Sequence, residues 1–140
     1  MRHALAVVAC VLVPPLHAQR AARVDDFLAL TGCEAGRPVT IVRPDVERSS
    51  LAEEIEAHEA VHRAQAAEYL SCEAFLAGIR SARRTIEVEL PAYCAQWRVA
   101  VARGADSAAT RREFAWRIAA QSGAMENRLE VLSWFERDCS

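Results

Sequence analysis

Beyond Pro44 the chain runs for 96 residues with a single proline, Pro91, and three glycines, Gly78, Gly104 and Gly123. A stretch with so few breakers has little option but to form helices, and the glycines divide it into pieces of helix length. Alanine, the residue that loses least on entering a helix, occurs 28 times in 140 residues. The expected fold is therefore mainly α, with one or two short strands, in one domain at most. The one β-rich run is Val39-Thr40-Ile41-Val42, between Gly36-Arg37-Pro38 and Arg43-Pro44-Asp45. Residues 19–30 read as a short helix ending near Thr31-Gly32.

Apolar spacing places the remaining helices. Ser50 with Glu53 forms a capping-box pattern, so a helix should start near Leu51, with Leu51, Ile55, His58 and His62 on one stripe. The pattern weakens after Gln65. A further helix is expected over 87–103, with Ile86, Glu89, Leu90, Tyr93, Trp97 and Val101 inward and Pro91 tolerated only in its first turn. Helices over 107–121, with Phe114 and Ile118 inward, and over 124–137, with Met125, Leu129, Leu132 and Phe135 inward, complete the set. Trp97, Phe114, Trp116, Trp134 and Phe135 recur at helical spacing and read most simply as core.

Residues 1–18 have the layout of a secretory signal peptide: Arg2, an apolar Ala4–Val13, then Pro14-Pro15-Leu16-His17-Ala18 with cleavage after Ala18. The competing readings are an amphipathic first helix and a lipoprotein-type site at Cys10. The apolar stretch is shorter than the roughly 20 residues that span a bilayer. Cleavage would leave residues 19–140 as the mature domain, with Cys33, Cys72, Cys94 and Cys139, an even set that reads as two disulfides in a periplasmic or secreted protein. Their connectivity is open, with a weak preference for Cys72–Cys94 and Cys33–Cys139, because the first two flank the part of the candidate site described below that carries Glu89. The 17 basic residues are all arginine and lie scattered among 19 acids, so no basic footprint for nucleic acid exists. Oligomeric state is not legible.

The mature chain would retain two histidines, both in His58-Glu59-Ala60-Val61-His62, an H-E-x-x-H pattern. Residues four apart on a helix share a face, with Cβ atoms about 5–6 Å apart, so two imidazoles can meet one Zn²⁺ at about 2.0–2.1 Å. Glu59, on an adjacent face of the same turn, can reach a metal-bound water as general base. The alternative is a pair of hydrogen-bonded core histidines. A third ligand cannot be histidine, and Gln65 and Glu68 stand where a longer H-E-x-x-H-x-x-G-x-x-H site would have Gly and His. Glu89 stands out, since it lies on the apolar face of its helix whereas Glu87 points about 160° away. A carboxylate there needs a cation or a donor; it could equally be a helix N-terminal charge or the partner of a buried Arg.

His58-Glu59-Ala60-Val61-His62 together with Glu89-Leu90-Pro91-Ala92-Tyr93 resembles the zincin metallopeptidases of gluzincin type, above all very small bacterial ones. The resemblance covers about residues 38–103. It implies a small zincin-like domain with His58, His62 and Glu89 as zinc ligands, Glu59 as the base, Tyr93 beside a ligand histidine where many relatives have Asp, and an extended peptide or protein substrate laid beside Val39–Val42. Pro91 in the third-ligand helix departs from the pattern, and no residue is assigned to oxyanion stabilisation. The function expected is zinc-dependent hydrolysis of peptide bonds. The alternatives are a non-enzymatic, disulfide-stapled helical module with a structural zinc or none, and a small zinc-buffering protein.

Overall fold

The computed structural model describes residues 28–139; the signal-peptide reading, Cys10 and residues 19–27 of the expected first helix lie outside them. Two strands, β1 (Ala29–Glu34) and β2 (Arg37–Val42), pair antiparallel, with Ala29 opposite Val42 and Glu34 opposite Arg37. They are followed by a one-turn helix α1 (Pro44–Glu47), then α2 (Ala52–Ala67), α3 (Cys72–Gly78), α4 (Ala82–Ala102), α5 (Ser107–Gln121), a 3₁₀ turn (Met125–Asn127) and α6 (Arg128–Asp138). The mainly helical expectation holds, and so does the strand over Val39–Val42.

Where a helix was expected to run to residue 30, the chain forms β1. The ladder with β2 supplies partners for its backbone, and Ala29, Leu30 and Thr31 are buried, so tertiary pairing overrides the weak helical preference of an Ala/Leu run. The hairpin turns on Ala35 and Gly36, at φ +49° and +79°. Two consecutive residues with positive φ match the right-handed twist of the strands. Glycine adopts that conformation without cost; alanine does not. A lone hairpin is marginal in water. This one packs on α2, where Ala29, Val46 and Ile55 form a small core, and Arg63 reaches back from α2 to Thr40 Oγ1 at 2.5 Å.

The start of α2 differs from the capping-box expectation. The helix begins at Ala52 with no side-chain cap; Ser49 Oγ accepts from the Leu51 N–H, and Glu53 pairs with Arg103, just past the end of α4, at 3.2 Å. Leu51 is exposed, so the inward stripe consists of Ile55, His58 and His62. Helix α3, unassigned in the sequence, is nucleated by Ser71, whose hydroxyl accepts from the Ala74 N–H.

Helix α4 begins five residues before the expected start because Ser81 caps it through the Arg84 N–H. Pro91 therefore sits in the helix interior rather than its first turn. It lies on an exposed face, as does Glu87, whose carbonyl lacks the usual hydrogen bond from residue 91. The other faces of α4 are buried on two sides. Val88 packs with Ala66, Cys72, Phe75 and Leu76, whereas Ile86, Leu90, Tyr93 and Trp97 pack with Phe114, Ile118, Val131 and Phe135 of α5 and α6. Trp116 is an exception among the aromatics expected as core, being 43% exposed, and Leu129 is 70% exposed. The 3₁₀ turn delays α6 to Arg128, and the buried stripe becomes Val131, Phe135 and Cys139.

The disulfides are Cys33–Cys72 and Cys94–Cys139, not the pairs preferred from the sequence. Cys72 and Cys94 lie on either side of Glu89 in sequence but belong to the separate cores on the two sides of α4. The first bridge ties β1 to α3 and the second ties α4 to the end of α6. With sequence separations of 39 and 45, each constrains the unfolded chain by about 4 kcal/mol in the chain-entropy account.

Replacing Ala35 with Asn creates Asn-Gly at the turn and relieves the left-handed alanine. The variant should unfold at higher denaturant concentration, by about 0.5–1 kcal/mol, as measured by chemical denaturation. No gain would place the strain elsewhere.

Candidate metal centre

Helices α2 and α4 run antiparallel: Glu53 near the start of α2 meets Arg103 just past the end of α4, and Gln65 near the end of α2 meets Val88 early in α4. This alignment puts His58 and His62, one turn apart, opposite Glu89. His58 Nε2 and His62 Nε2 are 3.0 Å apart, and Glu89 Oε2 lies 3.4 Å from the first and 3.6 Å from the second. All three side chains are buried and can jointly hold a metal ion.

The chemistry of this donor set can be tested on its own geometry. Glu89 Oε2 is buried and makes no well-directed hydrogen bond although two nitrogens lie close to it. The two imidazoles meet each other at Nε2, and the carboxylate oxygen lies beside both, so the three atoms form one compact group. Donors arranged tetrahedrally at about 2.0–2.1 Å from an ion stand roughly 3.3–3.4 Å apart. Edges of 3.0, 3.4 and 3.6 Å bracket that value. Two neutral imidazoles and one carboxylate are thus spaced as three corners of such a site, and the residues fit the group.

Burial and charge act against each other here. Desolvation pushes the Glu89 carboxyl up, but the facing His58 and His62 imidazoles outweigh it and hold the group down at about 2. For His62 burial pulls the imidazole down, while Glu89, followed by the more modest influences of Glu59 and Gln65, leaves it raised. The carboxylate is therefore ionised at any ordinary pH, as a metal ligand must be.

Glu59 also points inward and is fully buried. Thr31 Oγ1 on β1 donates to its Oε2 at 2.5 Å, and its Oε1 has no partner. It stands outside the three-atom group. Tyr93 meets His58 through its ring, edge-on with centroids 4.6 Å apart, and its hydroxyl accepts from Gln121 Nε2 at 3.2 Å. The sequence reading assigned nothing to Thr31, which lies 28 residues from Glu59 and in a segment expected to be helical. Nor did it assign a role to Gln65, whose Oε1 lies 3.0 Å from His62 Nδ1. Its position three residues after His62 was a visible signal, since such residues are neighbours on a helix. The four cysteines hold the scaffold as disulfides and none is a ligand.

Comparison of the chain with known protein families, with characterised proteins and with solved structures finds no match. The functional reading rests on the geometry and chemistry of the chain itself.

The charged pair sets a pH signature for the chain kept free of metal with a chelator. Glu89 is depressed from 4.5, so its contribution is complete above about pH 4.5 and is lost as the pH falls toward 2. His62 is raised from 6.5, so its contribution is complete below about pH 6.5 and is lost above it. The thermal midpoint of the metal-free chain should therefore decline as pH rises above 6.5. Divalent metal should cancel or reverse that decline, because binding requires deprotonated imidazoles. Scanning calorimetry with and without chelator measures both; a metal-free midpoint that rises through this range contradicts the pairing.

Proposed function

We propose that the chain is an exported, zinc-dependent metallopeptidase with a small zincin-like domain, in which His58, His62 and Glu89 hold zinc and Glu59 is the general base. The observation that carries this reading is the convergence of His58 Nε2, His62 Nε2 and Glu89 Oε2 with edges near those of a tetrahedral site, one helical turn containing a buried Glu59. Two nitrogens and a carboxylate oxygen suit zinc, and three protein ligands leave one position open. Zinc bound there supplies a Lewis acid and a water acidic enough to ionise near pH 7.

The work of the chain's own groups follows from their contacts. Thr31 occupies Glu59 Oε2 and leaves Oε1 free, so Oε1 is the atom that takes a proton from water and returns it to the leaving amine. Tyr93 packs its ring against His58 and limits how that imidazole can turn. An extended substrate would lie along β2, which pairs on one side with β1 and, among the described residues, with no strand on the other. Two disulfides suit an oxidising compartment, and no helix among the described residues is long and apolar enough to cross a membrane.

One observation favours a second reading, a structural metal in a non-enzymatic module. His58, Glu59, His62 and Glu89 are each no more than 2% exposed, which leaves a substrate no direct access to them. Variants separate the two. Wild type should carry one zinc per chain by elemental analysis and cut a denatured protein. Glu59→Gln should keep the zinc and lose about 10²–10⁴-fold in activity, and His58→Ala should lose the zinc. A wild type without zinc sinks both readings. Tight zinc with no cleavage of any denatured protein establishes the structural one.

A further inference from the structure

Gln65 bridges the two helices that carry the metal-site residues. Its Nε2 lies 3.0 Å from the carbonyl oxygen of Val88, the residue before Glu89, and its Oε1 lies 3.0 Å from His62 Nδ1. The backbone carbonyl can only accept, so the nitrogen of the amide must face Val88; the opposite orientation would set two acceptor oxygens against each other. The oxygen of the amide consequently faces His62. An oxygen acceptor at Nδ1 requires the proton to reside there, which leaves Nε2 with a free lone pair.

We propose that Gln65 is the positioning residue of the metal site: it holds neutral His62 in the Nδ1–H tautomer and aims the Nε2 lone pair at the point shared with His58 and Glu89. The inference rests on the reading of these three residues as a metal site, whether catalytic or structural.

The two histidines are then unequal. With the His62 Nε2 unprotonated, the 3.0 Å contact between the two Nε2 atoms requires the proton on His58 Nε2. His58 Nδ1 is left as a buried acceptor without a partner, in agreement with its lack of any hydrogen bond. His62 is pre-arranged for metal, and His58 must move its proton from Nε2 to Nδ1 when metal binds. Gln65 also ties the backbone at Val88 to α2, a contact that Gln65→Glu removes while keeping the acceptor at His62.

The test combines a tautomer measurement with a metal titration. In the metal-free chain at about pH 9, where neutral imidazoles prevail, long-range ¹⁵N–¹H correlation spectra should show His62 protonated at Nδ1 and His58 at Nε2. Zn²⁺ titrated against a chelating dye should bind Gln65→Leu roughly 10–100-fold more weakly than wild type, the usual loss when a ligand histidine loses its partner. Gln65→Glu keeps an acceptor for His62 Nδ1–H and should retain both the tautomer and an affinity within a few-fold of wild type. The proposal is overturned by a wild-type His62 protonated at Nε2, or by a Gln65→Leu chain with unchanged tautomer and affinity. Equal losses in the Leu and Glu variants overturn it as well, since they would make Gln65 only a tether to Val88. A wild type that takes up no Zn²⁺ defeats the metal reading, and the tautomer spectra test the role of Gln65 independently of that result.

Discussion

A carboxylate without water around it is among the most expensive groups a protein can bury, and Glu89 sits enclosed in the first half of the central helix. What makes this tolerable is the pair of imidazoles presented by the neighbouring helix at 3.4 and 3.6 Å. The demand then spreads outward. Helices α2 and α4 must be antiparallel and in one register, since a shift of either by a single residue would turn Glu89 or the histidines away by about 100°. Contacts at both ends, Glu53 with Arg103 and Gln65 with the Val88 carbonyl, agree with that register. Little of the remaining architecture is independent of it.

The rest of the scaffold encloses this centre. On one side the hairpin closes over α2 and delivers Thr31 to Glu59; on the other, Tyr93 separates His58 from the aromatic core that α4 shares with α5 and α6. Each disulfide fastens one of these flanks, Cys33–Cys72 the hairpin side and Cys94–Cys139 the helical side. A chain this small has limited apolar surface to bury, and cross-links reduce the entropy of its unfolded state where a larger core is lacking. The centre is polar, and the covalent staples lie in the apolar layers around it.

Local signals were legible and relational ones were not. The pairing of His58 with His62 needs only helical spacing, and the expectation of a helix over 107–121 matches α5 residue for residue. Glu89 could be singled out because a carboxylate on an apolar face is anomalous whatever it faces. By contrast Leu129 was placed inward by extending one helical phase from residue 124, and the 3₁₀ turn changed that phase. Pro91 looked like a first-turn residue because nothing in its neighbourhood announced Ser81 as the true cap. The pairing preferred from the sequence rests on Cys72 and Cys94 bracketing Glu89, whereas the two sides of α4 decide it.

By itself the sequence determined the helical class, the strand over Val39–Val42 and the identity of three groups chemically able to share a cation. These depend on breakers, periodicity and residue type, which act within a few residues. Only the tertiary structure decided that residues 29–34 are a strand, that Thr31 holds Glu59, that Gln65 joins His62 to the Val88 carbonyl, and which cysteines meet. The physical reason is common to all four: each is a contact between elements distant in the chain, set by how helices and hairpin pack, and local spacing carries no record of it.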